Sequence, residues 1–107
     1  GKLYMHNGNW NGLQIIDSSY VKTATSVADL LDEKGNKNVN YGYQFWLAER
    51  QELSVYCARG LLGQYVICIP EKNMIVVRLG RKFGNYLEDG HHDDFYAFID
   101  AALEMYP

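Results

Sequence analysis

Two short runs, Tyr65-Val66-Ile67-Cys68-Ile69 and Met74-Ile75-Val76-Val77-Arg78-Leu79, are apolar at both parities. Only Pro70-Glu71-Lys72-Asn73 separates them. Side chains alternate between the two faces of a strand, so a run apolar on both must be covered on both. Pro presets φ and Asn tolerates the left-handed region, so the four-residue spacer reads as a tight turn joining antiparallel neighbours. Upstream, Tyr41-Gly42-Tyr43-Gln44-Phe45-Trp46-Leu47 and Leu53-Ser54-Val55-Tyr56-Cys57-Ala58 are rich in aromatic and β-branched residues. Four strands near 41–47, 53–59, 64–69 and 74–80 are therefore expected in one antiparallel meander. The two doubly apolar runs should lie at its centre.

After the strands, Phe95, Ile99, Ala102, Leu103 and Tyr106 recur at helical spacing. Asp93 and Asp94 precede them, where carboxylates suit a helix start. A helix over 93–105 should pack on one sheet face through Phe95, Ile99 and Leu103, which makes the chain α+β. At 107 residues there is room for one domain. It divides into helices and loop over 1–40, sheet over 41–80 and a terminal helix over 93–106. Within the first part, residues 2–6 read as the end of a helix stopped by Asn7-Gly8-Asn9. Asn11-Gly12 is a turn before extended Leu13–Ile16, and Asp17 or Ser18 caps a helix to about Thr25. A second short helix is expected over 27–31, then a polar surface loop over 32–40.

Ten Lys plus Arg against thirteen Asp plus Glu give a net charge of −3 without any basic block, which disfavours a nucleic-acid binder. No apolar run approaches the ~18 residues of a membrane span, and Gly1–Asn7 lacks the pattern of a signal peptide. A hairpin centred on Leu61 would set Cys57 opposite Tyr65 and Cys68 opposite Ser54. That offset, on the order of 10 Å along the strand, exceeds the ~7 Å a disulfide tolerates. Two buried free thiols are expected.

Ser19-Tyr20-Val21-Lys22 is a literal Ser-x-x-Lys, a spacing that sets an amine one helical turn from a hydroxyl. Four-residue matches with two free positions arise often by chance, and no Tyr-x-Asn or Ser-Asp-Asn accompanies it. A helix cap and a solvated face explain it more simply. His91-His92-Asp93-Asp94 offers four ligand-type side chains, but adjacent residues rarely converge on one ion. No metal or cofactor is expected. The tyrosines and tryptophans of the strands read as core and cross-strand pairs before they read as a binding platform. Arg59 is the only charge between Val55 and Ile69, flanked by Gly60-Leu61-Leu62-Gly63. An ordinary hairpin turn with Arg59 in solvent is the simplest reading of that stretch.

Taken jointly, Lys2–Ile16, Ser19-Tyr20-Val21, Tyr41–Leu47 and above all Tyr56–Arg78 resemble the C-terminal part of the serine β-lactamase-like hydrolases. The likeness is to the branch of class C β-lactamases, esterases and penicillin-binding proteins. It rests on a strand, a glycine-rich turn, Gly63-Gln64-Tyr65, Ile69-Pro70-Glu71 and a Val-rich strand, and covers nearly the whole chain except 26–40 and 80–94. The resemblance implies a fragment of the β-lactamase/transpeptidase-like fold. The family's cleft strand, which carries Lys or His, then Thr or Ser, then Gly, matches Ala58-Arg59-Gly60. Only the glycine is kept, which puts recognition of a β-lactam carboxylate in doubt. The family's oxyanion donor, the backbone N–H after that glycine, matches Leu61, a role independent of side-chain type.

The nucleophile and Tyr-x-Asn element of the family lie on helices with no counterpart in these 107 residues. The resemblance thus implies a segment supplying sheet and one cleft wall (Ala58, Arg59, Gly60, Leu61), inactive alone and partnered by an N-terminal catalytic portion. It also implies an exported, periplasmic or extracellular parent. A non-catalytic binding module of the same fold is the alternative. Elements missing from the segment would leave apolar surface exposed, so a homo-oligomer is expected.

Overall fold

The computed structural model describes residues 1–107 and begins with α1 (Lys2–Met5) and the small hairpin β1 (Asn9–Trp10) and β2 (Leu13–Gln14). Asn11 and Gly12 turn that hairpin at positive φ, the combination a two-residue turn demands. Next comes α2 (Ser18–Ala24), capped by Asp17, whose side chain accepts from the Ser19 N–H. The main sheet holds β3 (Trp46–Arg50), β4 (Leu53–Gly60), β5 (Gln64–Ile69) and β6 (Met74–Arg78), antiparallel and in chain order. The chain closes with α3 (Asp93–Met105). The molecule is α+β, as the strand and helix periodicities predict.

The sheet divides the apolar residues between two faces. Val55, Cys57, Tyr65, Ile67 and Ile69 pack against Phe95, Ile99 and Leu103 of α3. Ile67, Ile69 and Ile99 lose all contact with water, each worth about 1.5–3 kcal/mol. The opposite face gathers Leu47, Tyr56 and Cys68, partly roofed by Tyr4, Met5 and Phe45. No helix is long and apolar enough to cross a membrane.

Several sequence expectations need correction. The first main strand spans 46–50 rather than 41–47, because the Gly42 N–H turns back to the Phe45 carbonyl and the Tyr43 N–H donates to Ala24. Any Cβ at Gly42 would lie 2.6 Å from the Ser26 carbonyl oxygen, so the segment docks on the end of α2 instead of extending the sheet. No helix forms over 27–31: Ala28 donates to Tyr41, and Leu31 bridges Lys37. The last strand stops at Arg78, and it is an edge, not a centre, with Val77 62% exposed. Tyr106, placed in the apolar stripe, lies past the helix end and is exposed.

The β4–β5 hairpin is centred one residue later than expected. Cys57 pairs with Ile67 and Cys68 with Tyr56, not with Tyr65 and Ser54. Moving the centre by one residue moves each partner by two, which keeps the faces, and Cys57 packs on the α3 side of the sheet while Cys68 packs on the other. Both thiols are free and buried, as expected, for a different geometric reason.

Candidate functional site

The end of β4 carries Ala58, Arg59, Gly60 and the following Leu61. Strand alternation puts Ala58 and Gly60 on the face away from α3 and Arg59 on the helix side. Arg59 is not in solvent, contrary to expectation. Its guanidinium lies 3.5 Å from the centre of the Trp46 ring, and Nη1 donates to the Gly90 carbonyl at 3.0 Å. Trp46 faces Cys57 across β3–β4, so the cross-strand diagonal brings an aromatic face under the arginine. Leu61 is 80% exposed, and its N–H meets no acceptor in the protein.

Leu62 and Gly63 turn the chain with φ of 64° and 83°. The left-handed region suits Gly63 and strains Leu62. From β6, Nη1 of Arg78 fixes the turn by donating to the Gly63 and Lys82 carbonyls at 3.0 and 2.9 Å. The same atom lies 3.2 Å from the Asp94 carboxylate.

His91-His92-Asp93-Asp94 performs four separate tasks. His92 is the N-cap of α3 without a side-chain cap bond, so the carboxylate-cap expectation for 93 and 94 does not hold. Asp93 accepts from the Asn85 N–H instead, and Asp94 pairs with Arg78 and the Tyr65 hydroxyl. His91, fully buried, donates from Nε2 to the Leu47 carbonyl at 2.8 Å and stacks on Phe95. Burial lowers its pKa. His92 is also buried, with Nδ1 3.3 Å from the Tyr65 hydroxyl. Burial first, then the Arg59 cation, lowers its pKa, while burial and the Asp94 charge push Tyr65 up to about 12. No three His, Cys, Asp or Glu side chains gather where they could hold a metal ion.

A cavity of about 250 Å³ opens between the β4–β5 turn and the 83–92 segment. Arg59, Leu61 and His92 line it together with Trp46, Phe83 and Tyr86. Sequence reasoning found Arg59 and Leu61 but missed Tyr65, Phe83, Tyr86 and His92 as their neighbours. The only signal was a pair of aromatic residues inside a polar stretch, Arg81-Lys82-Phe83-Gly84-Asn85-Tyr86.

Ser19 and Lys22 border a separate hollow of about 410 Å³ beneath α1 and α2. The Ser19 hydroxyl donates to Asp17 at 2.8 Å, and that bond holds the Asp17 carboxyl below its ordinary range. A carboxylate so held is a poor proton acceptor at neutral pH, and Ser19 is part of a helix cap. The larger hollow is therefore a weaker candidate than the smaller one beside Leu61, which has a free backbone donor, a cation and an imidazole. A scan against family models and a search of curated proteins find no match to this chain.

Proposed function

We propose that the chain is the C-terminal segment of a β-lactamase-like serine hydrolase, acting through an acyl-enzyme in an exported parent protein. The segment supplies the sheet, the wall Ala58-Arg59-Gly60 and an oxyanion donor at Leu61, while an upstream portion supplies nucleophile and base. The observation that carries this reading is the Leu61 N–H, exposed at a glycine-flanked turn and free of any protein acceptor. Stabilising a developing oxyanion takes such a fixed donor with no protein partner.

One observation favours the alternative of a non-catalytic binding module. Arg59 stands where the family has a hydroxyl residue, and it is committed to Trp46 and Gly90. A wall so occupied serves recognition better than acyl transfer.

Acyl transfer needs a nucleophile, a base within hydrogen-bond reach and an oxyanion donor. The chain alone has only the last, so it should hydrolyse an activated ester at the background rate and take no label from a fluorophosphonate. The complete parent should be labelled on a serine of an upstream Ser-x-x-Lys. An unlabelled parent lacking Ser-x-x-Lys and Tyr-x-Asn would leave the binding module. Stoichiometric labelling of Ser19 here, abolished in Ser19→Ala, would overturn the assignment of chemistry to the upstream portion.

A further inference from the structure

We propose that the 83–92 segment is an acid-released strap: protonation of His91 and His92 frees it from the sheet and uncovers the wall at Trp46 and Arg59. The device is independent of the hydrolase reading.

Between β6 and α3 the chain forms no helix or strand, and only two of its side chains are buried, His91 and His92. Leu79, Phe83, Tyr86 and Leu87, the apolar residues of this stretch, all stay exposed. A segment plugged into the core by imidazoles alone holds on through groups that titrate near neutral pH, as leucine plugs would not. Its other ties are polar. Arg78 holds the root at the Lys82 carbonyl, and Asp93 accepts from the Asn85 N–H. Farther along, Arg59 donates to the Gly90 carbonyl, Asn40 donates to the Asp89 carbonyl at 2.7 Å, and the Tyr96 hydroxyl donates to the Asp89 carboxylate. Bonds of this kind exchange for bonds to water and hold little by themselves.

Each imidazole is engaged at one nitrogen and bare at the other. His91 donates from Nε2 to the Leu47 carbonyl, which leaves Nδ1 as a lone pair. The single hydrogen of the Tyr65 hydroxyl goes to the ionised Asp94, so His92 donates from Nδ1 to the Tyr65 oxygen and keeps Nε2 bare. These two atoms are closed to water, and no other buried side-chain nitrogen or oxygen lacks a partner. A proton added to either makes a buried cation whose new N–H has no acceptor. Around His91, Asp89 of the strap favours the cation, Arg59 of β4 and His92 oppose it, and β3 and α3 present the Trp46, Phe95 and Tyr96 rings. Around His92, Asp93 and Asp94 of α3 favour the cation and Arg59 opposes it. There β5 presents the Tyr65 hydroxyl, and the strap presents the Phe83 and Tyr86 rings. Burial outweighs the carboxylates at both, so each imidazole binds its proton more weakly in place than in water. Release restores the ordinary affinity, and acid therefore favours the released strap.

The test uses the full chain and amide exchange corrected for the intrinsic rate. Leu87, Gly90 and Asp93 are the probes, because each N–H donates to a carbonyl of the strap. Their protection should fall between pH 7 and 5.5 by up to about tenfold for each histidine released. It should stay below that of the β4 and β5 amides and hardly change in dilute urea, since a local opening exposes little surface. Strap amides that follow the urea slope of β4 and β5 would mean that only the whole molecule opens, and would overturn the strap. Equal protection at both pH values would do the same. In Trp10→Phe, which leaves Trp46 as the single tryptophan, acrylamide quenching should rise over the same range. Unchanged quenching would overturn the uncovering of the wall. Combining His91→Gln with His92→Phe keeps a donor for Leu47 and a ring beside Phe83, and should remove the pH dependence of the strap amides. A dependence that persists in that variant would overturn the role of the two histidines.

Discussion

At the scale of single residues, the two buried histidines make stability depend on pH. The Leu47 carbonyl can only accept, so His91 is protonated on Nε2, and its buried Nδ1 is a lone pair without a partner. Protonating it would bury a cation against Phe95, Trp46 and Tyr96, with Asp89 favouring the charge and Arg59 and His92 opposing it. Around His92, Arg59 opposes protonation and Asp93 and Asp94 favour it. Both folded pKa values are lowered, so below the ordinary value of 6.5 the unfolded chain binds more protons than the folded one. Stability is full above that value and falls as pH drops below it, by at most about 1.4 kcal/mol per pH unit for each histidine. Urea melts between pH 7.5 and 5 should show the slope, and His91→Gln, which keeps a donor for Leu47, should flatten it. A backbone effect at Gly63 is independent of pH. There φ is 83°, and an added Cβ would collide with the Arg78 guanidinium and sit 2.5 Å from the Lys82 carbonyl oxygen. Gly63→Ala should cost about 2–3 kcal/mol by the same melts, from left-handed strain plus lost Arg78 bonds.

At the scale of elements, the turns of the meander show where local chemistry is optimal and where it is not. The β5–β6 connection has Pro70 at the start of a 3₁₀ turn and Asn73 in the left-handed region, residues suited to those positions. By contrast, Gln51 and Glu52 both sit at positive φ, 52° and 63°, in the two-residue β3–β4 turn. Such turns favour Asn-Gly, because a side chain at positive φ crowds its own backbone. Glu52→Gly should therefore raise stability by about 0.5–1 kcal/mol, read as a higher urea midpoint at unchanged m-value. A lower midpoint would mean that the Glu52 side chain contributes a contact outweighing the strain.

Across the whole molecule, the core is thin. Nineteen of 107 residues are buried, and the radius of gyration of 14.1 Å exceeds the ~13 Å expected for a compact domain of this length. The outer edge of β6 has unpaired backbone groups beside Val77 and Leu79, which are 62% and 87% exposed. Open edges with apolar side chains invite pairing with another strand. Light scattering should show a concentration-dependent dimer, and Val77→Lys should return it to a monomer. A native chain that stays monomeric at the highest soluble concentration would indicate that neither the edge nor the apolar surface recruits a second copy.

Much of the architecture was legible in the sequence because it depends on short-range periodicity. Alternation and double apolarity marked β4, β5 and β6, and the Phe95, Ile99, Leu103 spacing marked the helix and its buried face. Turn chemistry fixed the β5–β6 connection, and the strand-end glycine drew attention to 58–61. The centre of the β4–β5 hairpin was misread by one residue, because the strained Leu62 is no obvious turn former. The sequence likewise implied a central place for 74–79, although tertiary structure made it an edge that packs Met74, Ile75 and Val76 on the two cores and leaves Val77 exposed. Arg59 looked solvent-bound because nothing local announces Trp46, thirteen positions away, or Gly90, thirty-one away. Local spacing alone determined α2, α3, the strands β4 to β6 and the β5–β6 turn, where each residue answers to neighbours a few positions off. Which side chains surround the cavity was decided only by folding, because Tyr65, His92 and Asp94 meet through the packing of α3 on β5.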